Sequence, residues 1–155
     1  MQQFSIYQTT QELLLKAIIL LVEKCYHGNL KSVVLVADSE QQELLNKTLW
    51  TYSRRQFIPH GSKLDPLPEK QPVYITDELQ NPNDASVLLI ISPAHLEKIL
   101  QNKEYINHFQ RIIIIYDAPI ELKELVLKVE KLTVAEKLVD CYKQNPNSSW
   151  VKVDI

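Results

Sequence analysis

Glycine is nearly missing from this chain, with Gly28 and Gly61 the only two in 155 residues. A site that cradles phosphate through backbone amides needs a glycine-rich loop at the end of a strand, and two isolated glycines cannot supply one. Cysteine is as scarce. Cys25 and Cys141 stand in helix-like runs rather than at a metal-ligand spacing, which excludes a disulfide framework and points to reduced thiols. No sign of charge dominates: 17 basic against 19 acidic side chains leave a net charge of -2, too little for an electrostatic claim on nucleic acid. Long apolar runs are absent too. The greasiest, Leu13 to Val22, contains Lys16 and is too short to cross a bilayer. Met1-Gln2-Gln3-Phe4 has neither a basic region nor a cleavage-site pattern. The expectation is a cytoplasmic protein with no membrane contact, forming one domain over residues 1–155, its 45% apolar content sufficient for a core.

What is present alternates regularly. Phe4 to Tyr7 is strand-like, and Thr9 with Glu12 makes a capping box for a helix carrying Leu14, Ile18, Leu21, Val22 and Cys25, stopped at His27-Gly28-Asn29. Val33 to Ala37 is a continuous apolar run, as in a strand covered on both faces. Ser39 and Gln42 open a second helix through Leu44, Leu45 and Leu49. Val73 to Thr76 and Val87 to Ile91 predict two further strands, and Ser92-Pro93 an N-cap followed by proline at the first helical position, ahead of Leu96, Ile99 and Leu100. Ile112 to Tyr116 predicts a central strand, and Ile120 to Lys143 a long helical region with a second start signal at Thr133 and Glu136. Trp150 to Val153 reads as a short extended piece at a sheet edge. The order βαβαββαβα predicts an α/β sandwich around a mostly parallel sheet.

Catalytic chemistry is hard to place on this frame. Ile112 to Asp117 has the form of an apolar strand ending in a magnesium-binding Asp, but without a phosphate loop Asp117 reads as the cap of the following helix. His27, His60, His95 and His108 include no pair at metal-ligand spacing. No cofactor, metal or catalytic residue is expected.

The distinctive segment is Thr51 to Pro72, TYSRRQFIPHGSKLDPLPEKQP, which holds four of the eight prolines. Long loops in compact domains are uncommon and tend to be functional or mobile. This one carries Phe57-Ile58-Pro59-His60 close to Trp50, an apolar composition suited to contact with the core or with a partner.

In its order of elements, in Leu49-Trp50, in Phe57-Ile58-Pro59-His60 and in Pro72-Val73-Tyr74-Ile75, the chain resembles the chi subunits of bacterial DNA polymerase III. The resemblance implies a nucleotide-binding-like fold without its phosphate loop. It implies a non-catalytic adaptor at the replication fork that joins the clamp loader, through the psi subunit, to the acidic, phenylalanine-ended C-terminal tail of single-stranded-DNA-binding protein. DNA would be met only indirectly. Trp50 and Phe57, with Ile58 and Pro59 beside them, match the family's psi-contact positions. The family's tail site, an alanine-arginine-x-arginine-tyrosine segment on the C-terminal helix, is met here by Ala135-Glu136-Lys137-Leu138-Val139 and Tyr142-Lys143. That match implies Lys131, Lys137, Tyr142 and Lys143 as tail-binding candidates, although Glu136 stands where an arginine is expected. Two other readings remain open on the residues alone: a nucleotide-dependent α/β enzyme, disfavoured by the lack of glycine, and a direct nucleic-acid binder resting on Arg54-Arg55 beside Trp50 and Tyr52.

Overall fold

The uninterrupted apolar runs beginning at Val33, Val87 and Ile112 become interior strands, while the run from Ala17 to Val22 lies in a helix. In the computed structural model, which describes residues 2–51, 58–62, 65–91, 95–117, 120–133, 139–147 and 149–153, the chain runs through β1 (Gln3–Gln8), α1 (Gln11–His27), β2 (Ser32–Leu35), α2 (Ser39–Thr51), β3 (Gly61–Ser62), β4 (Val73–Thr76) and β5 (Val87–Ile90). It continues through α3 (Leu96–Gln101), α4 (Lys103–Ile106), β6 (Arg111–Tyr116), α5 (Leu122–Thr133), β7 (Val139–Gln144) and β8 (Trp150–Val153), with a 3-10 turn at Pro68–Lys70. The strands form one sheet in the order β3-β4-β2-β5-β6-β1-β7-β8. All neighbours pair in parallel except β7 and β8, which form an antiparallel hairpin at the edge.

Alternation along the strands divides the core in two. Phe4, Ile6, Val33, Leu35, Leu88, Ile90, Ile112, Ile114 and Tyr116 face α3, α4 and α5. Val34, Val73, Ile75, Leu89, Ile113 and Ile115 face α1 and α2. Strands β2, β4, β5 and most of β6 are buried on both sides, so they read as continuous apolar runs. The result is a three-layer α/β sandwich.

Local signals are obeyed with small shifts. α1 stops where His27-Gly28-Asn29 predicts, but Asn29, not Gly28, takes the left-handed conformation at φ 59°. The N–H groups of Asn29 and Leu30 bond back to the carbonyls of Tyr26 and Cys25, the double closure of a Schellman motif with Asn in glycine's usual place. The capping box of α2 sits one residue earlier than Ser39 and Gln42: Asp38 accepts from the Gln41 N–H at 2.8 Å, and the Gln41 side chain accepts from the Ala37 N–H at 2.8 Å. At α1 the cap residue is Thr10, with no side-chain bond; the Thr9 hydroxyl instead donates to Gln144 on β7. Ser92-Pro93 lies outside the described residues.

The C-terminal third corrects the expected element order. The long helix over Ile120 to Lys143 is a shorter one, α5, followed by strand β7, which pairs with β1 in register Phe4↔Val139 and Ile6↔Cys141. Cys141 is therefore a strand residue packed beneath α5, not a helix residue. Asp117 precedes α5 by several residues and is not its N-cap. Trp150–Val153 forms the sheet edge as expected, against β7.

Candidate functional site

Trp50 lies in the last turn of α2, whose inner face is anchored by buried Gln42, Leu45 and Leu49. Its own side chain is 60% exposed. The chain returns to this helix end at Ile58-Pro59-His60. Ile58 is 3% exposed and belongs to the core beneath α1 and α2, while Pro59 is half-buried. His60 ties the return to the helix: Nδ1 donates to the Ile58 carbonyl at 2.8 Å, and Nε2 lies 2.7 Å from the Asn46 side-chain oxygen. The Trp50 ring meets the His60 imidazole edge-on at 5.7 Å between centroids. Among the expected psi-contact residues, then, Trp50 is presented on a rigid support and Ile58 is a core residue. Phe57 lies outside the described residues.

The tail-binding candidates separate. Lys131 is exposed on α5, and Lys137 lies outside the described residues. Tyr142 and Lys143 are neighbours on β7 and so point to opposite faces of the sheet. Cys141, packed under α5, shows that Lys143 shares the α5 side. Tyr142 is on the α1 side, stacked on Tyr7 at 4.7 Å with an interplanar angle of 17°. Trp150 meets Tyr7 edge-on at 4.9 Å. Lys152 stands opposite Tyr142 across the hairpin and pairs with Asp140 at 3.2 Å. Sequence reasoning missed Tyr7, Trp150 and Lys152 as members of one aromatic face with a cation at its rim. The signal was the two-residue alternation Val139, Cys141 against Asp140, Tyr142, which marks a strand and brings Tyr142 beside Tyr7.

Doubly wound sheets hold ligands outside the carboxyl ends of the strands, where neighbouring connections leave on opposite faces. One such point falls between β2, followed by α2, and β5, followed by α3; another falls between β6, followed by α5, and β1, followed by α1. A cavity of about 350 Å³ lies at the first, lined by Leu35, Ala37, Ile90 and Ile99 and bordered by Asp77 and Glu78 on one side and His95 and Lys98 on the other. Two carboxylates offset the Lys98 cation, and the described lining has no glycine whose amide would let a phosphate approach closely. The described residues hold no cluster of three or more His, Cys, Asp or Glu side chains able to bind a metal. Burial raises both thiols above their usual pKa, the opposite of a reactive cysteine. No helix among the described residues is long and apolar enough to cross a membrane.

Fold and site together define a doubly wound α/β domain with a mostly parallel sheet and no glycine-rich loop in its sequence. Residues 1–125 match the family described as "DNA polymerase III chi subunit, HolC", and the chain belongs to that family of replication accessory subunits. It is 65% identical over 153 residues to the "Probable DNA polymerase III subunit chi" of Rickettsia prowazekii (strain Madrid E), covering 99% of this chain and 93% of that protein. Among solved structures it is similar in fold to the C-terminal domain of the DEAD-box protein Dbp5, with a TM-score of 0.57 at 11% identity over 92% of this chain and 90% of that one. The Pyrococcus furiosus Hef helicase domain is a second, with a TM-score of 0.54 at 13% identity over 95% of this chain and 36% of that one. Identities this low speak to the fold alone.

Proposed function

We propose that this chain is a non-catalytic adaptor of the DNA polymerase III holoenzyme, joining the psi subunit of the clamp loader to the tail of single-stranded-DNA-binding protein. The observation that carries the reading is Trp50, a large rigid ring 60% exposed at the end of an anchored helix. Exposed aromatics on a fixed support are the usual makeup of a binding hot spot, and this one stands at the family's psi-contact position. Pro59 and Phe57 follow in the same segment, so the psi surface is the corner between α2 and the loop after it.

For the tail, the favoured location is the aromatic face of Tyr7, Tyr142 and Trp150. A terminal phenylalanine needs an apolar slot and its aspartates need cations. Tyr142 supplies the wall and Lys152 the nearest cation, while Lys131 and Lys143 lie on the α5 side of the sheet, away from this face. The field is modest because lysines and acids alternate from Glu121 to Lys143. Binding is therefore weak and falls steeply between about 50 and 200 mM salt, where the Debye length shrinks below roughly 10 Å. Titration calorimetry of the full chain with an aspartate-rich peptide ending in phenylalanine, at both salt concentrations, tests this. Salt-insensitive tight binding, or binding unchanged in Tyr142→Ala, contradicts it.

A further inference from the structure

The opposite, amino end of the sheet carries a second cavity, of about 260 Å³, between the starts of β1, β5 and β6. Its lining is Gln3, Leu30, Ser86, Val87, Gln110 and Arg111. The backbone of this corner is fully committed: Gln3 N–H bonds to the Gln110 carbonyl, and the Gln110 and Arg111 N–H groups share the Ser86 carbonyl. The side chains are not. Arg111 Nε is buried without a hydrogen-bond partner, and its guanidinium makes no ion pair among the described residues. The Gln3, Gln110 and Ser86 side chains also make no hydrogen bond there. A half-buried guanidinium with no anion against it is unusual, because buried charge is normally paired. The last carbonyls of α1 already accept from Gly28, Asn29 and Leu30.

We propose that this cavity is a binding site for a monocarboxylate carrying a short aliphatic group. The guanidinium offers a planar fork that matches a carboxylate with two parallel hydrogen bonds. The Gln3 and Gln110 amides and the Ser86 hydroxyl complete the donors. Leu30 and Val87 give the aliphatic part an apolar wall. Among the described residues one cation, Arg111, lines the cavity, which suits a monoanion rather than a phosphate dianion. The volume is below the range of drug-sized pockets, which starts near 300 Å³, so it suits a group the size of an amino-acid side chain. The site shares no lining residue with the Trp50 corner and does not depend on the adaptor reading.

Nuclear magnetic resonance of the full-length chain tests this, by following the Arg111 Nε–H and the Gln3 and Gln110 side-chain amides. The probes are isovalerate, N-acetylleucine and N-acetylleucinamide. The expected result is saturable shifts with both carboxylates and none with the amide. Equal affinities for the two carboxylates identify a free small carboxylate as the source. N-acetylleucine binding at least ten-fold tighter identifies the carboxyl terminus of a peptide. Arg111→Lys, which keeps the charge and loses the fork, weakens binding at least ten-fold, and surface-exposed Gln110→Ala weakens it several-fold without threatening the fold. Absence of saturable shifts, equal shifts with the amide, or unchanged affinity in Arg111→Lys and Gln110→Ala overturns the proposal.

Discussion

Trp50 and Ile58, eight positions apart, have opposite fates, and the difference is measurable. Ile58→Ala empties a fully packed site and is expected to cost about 2–5 kcal/mol of stability. Trp50→Ala removes an exposed ring and should change stability by no more than about 0.5 kcal/mol. Denaturant unfolding of the two variants checks this; a large loss in Trp50→Ala would assign the ring to the core instead. Residue chemistry also sets the alkaline limit. Burial raises the Tyr116 phenol, pushed up to about 12, with the Cys141 thiol adding to it, and burial raises Tyr105 further still. Both prefer the protonated state more strongly when folded than when unfolded, where a phenol titrates near 10. Stability from these groups is therefore complete below about pH 10 and is lost as the pH rises towards 12. Absorbance titration at 295 nm should show these tyrosines ionising only as the chain unfolds. Reversible ionisation near pH 10 in the folded protein would refute the burial of Tyr105 and Tyr116.

Elements were legible where burial or chain-stop chemistry left a plain mark. The strands from Val33, Val87 and Ile112 are apolar because both faces are covered, and α1 ends at Asn29 because a left-handed residue closes its last carbonyls. β7 was not legible as a strand. Ala135, Glu136 and Lys137 are good helix formers that extend the pattern of α5, and pairing of Val139–Gln144 with β1 overrides that local preference. The site suffered in the same way, since helical spacing would place Lys131 and Tyr142 on one face, about three turns apart, whereas strand alternation puts Tyr142 and Lys143 on opposite sides. Trp50 was legible as a candidate, yet its exposure depends on a chain return at Ile58-Pro59-His60 that no local rule specifies. If the hairpin is as described, Tyr142→Ala removes the partner stacked on Tyr7 and should destabilise the fold by about 0.5–1.5 kcal/mol beyond the lost area. It should also red-shift the emission of Trp150, read against a Trp50→Phe background. Unchanged stability and emission would mean that the aromatic face does not form.

At the scale of the whole molecule, the sheet is mostly parallel and doubly wound, and its carboxyl-end crevice presents Asp77 and Glu78 opposite Lys98. Magnesium-ATP and magnesium-GTP at about millimolar concentration are expected to leave the melting temperature unchanged, because the sequence has no glycine-rich loop to form an amide nest at the crevice. A specific upward shift lost in Asp117→Ala would restore the enzyme reading. What distinguishes the molecule is the exterior of this frame, with a ring held out at the end of α2 and an aromatic face on the β7–β8 edge. The most direct measurement of the adaptor claim is co-purification of the tagged full-length chain with purified psi subunit, comparing the wild type with Trp50→Ala. The account predicts a stoichiometric complex with the wild type and its loss in Trp50→Ala, whose melting temperature stays that of the wild type. Retention of psi by Trp50→Ala, or failure of the wild type to bind psi, would contradict it.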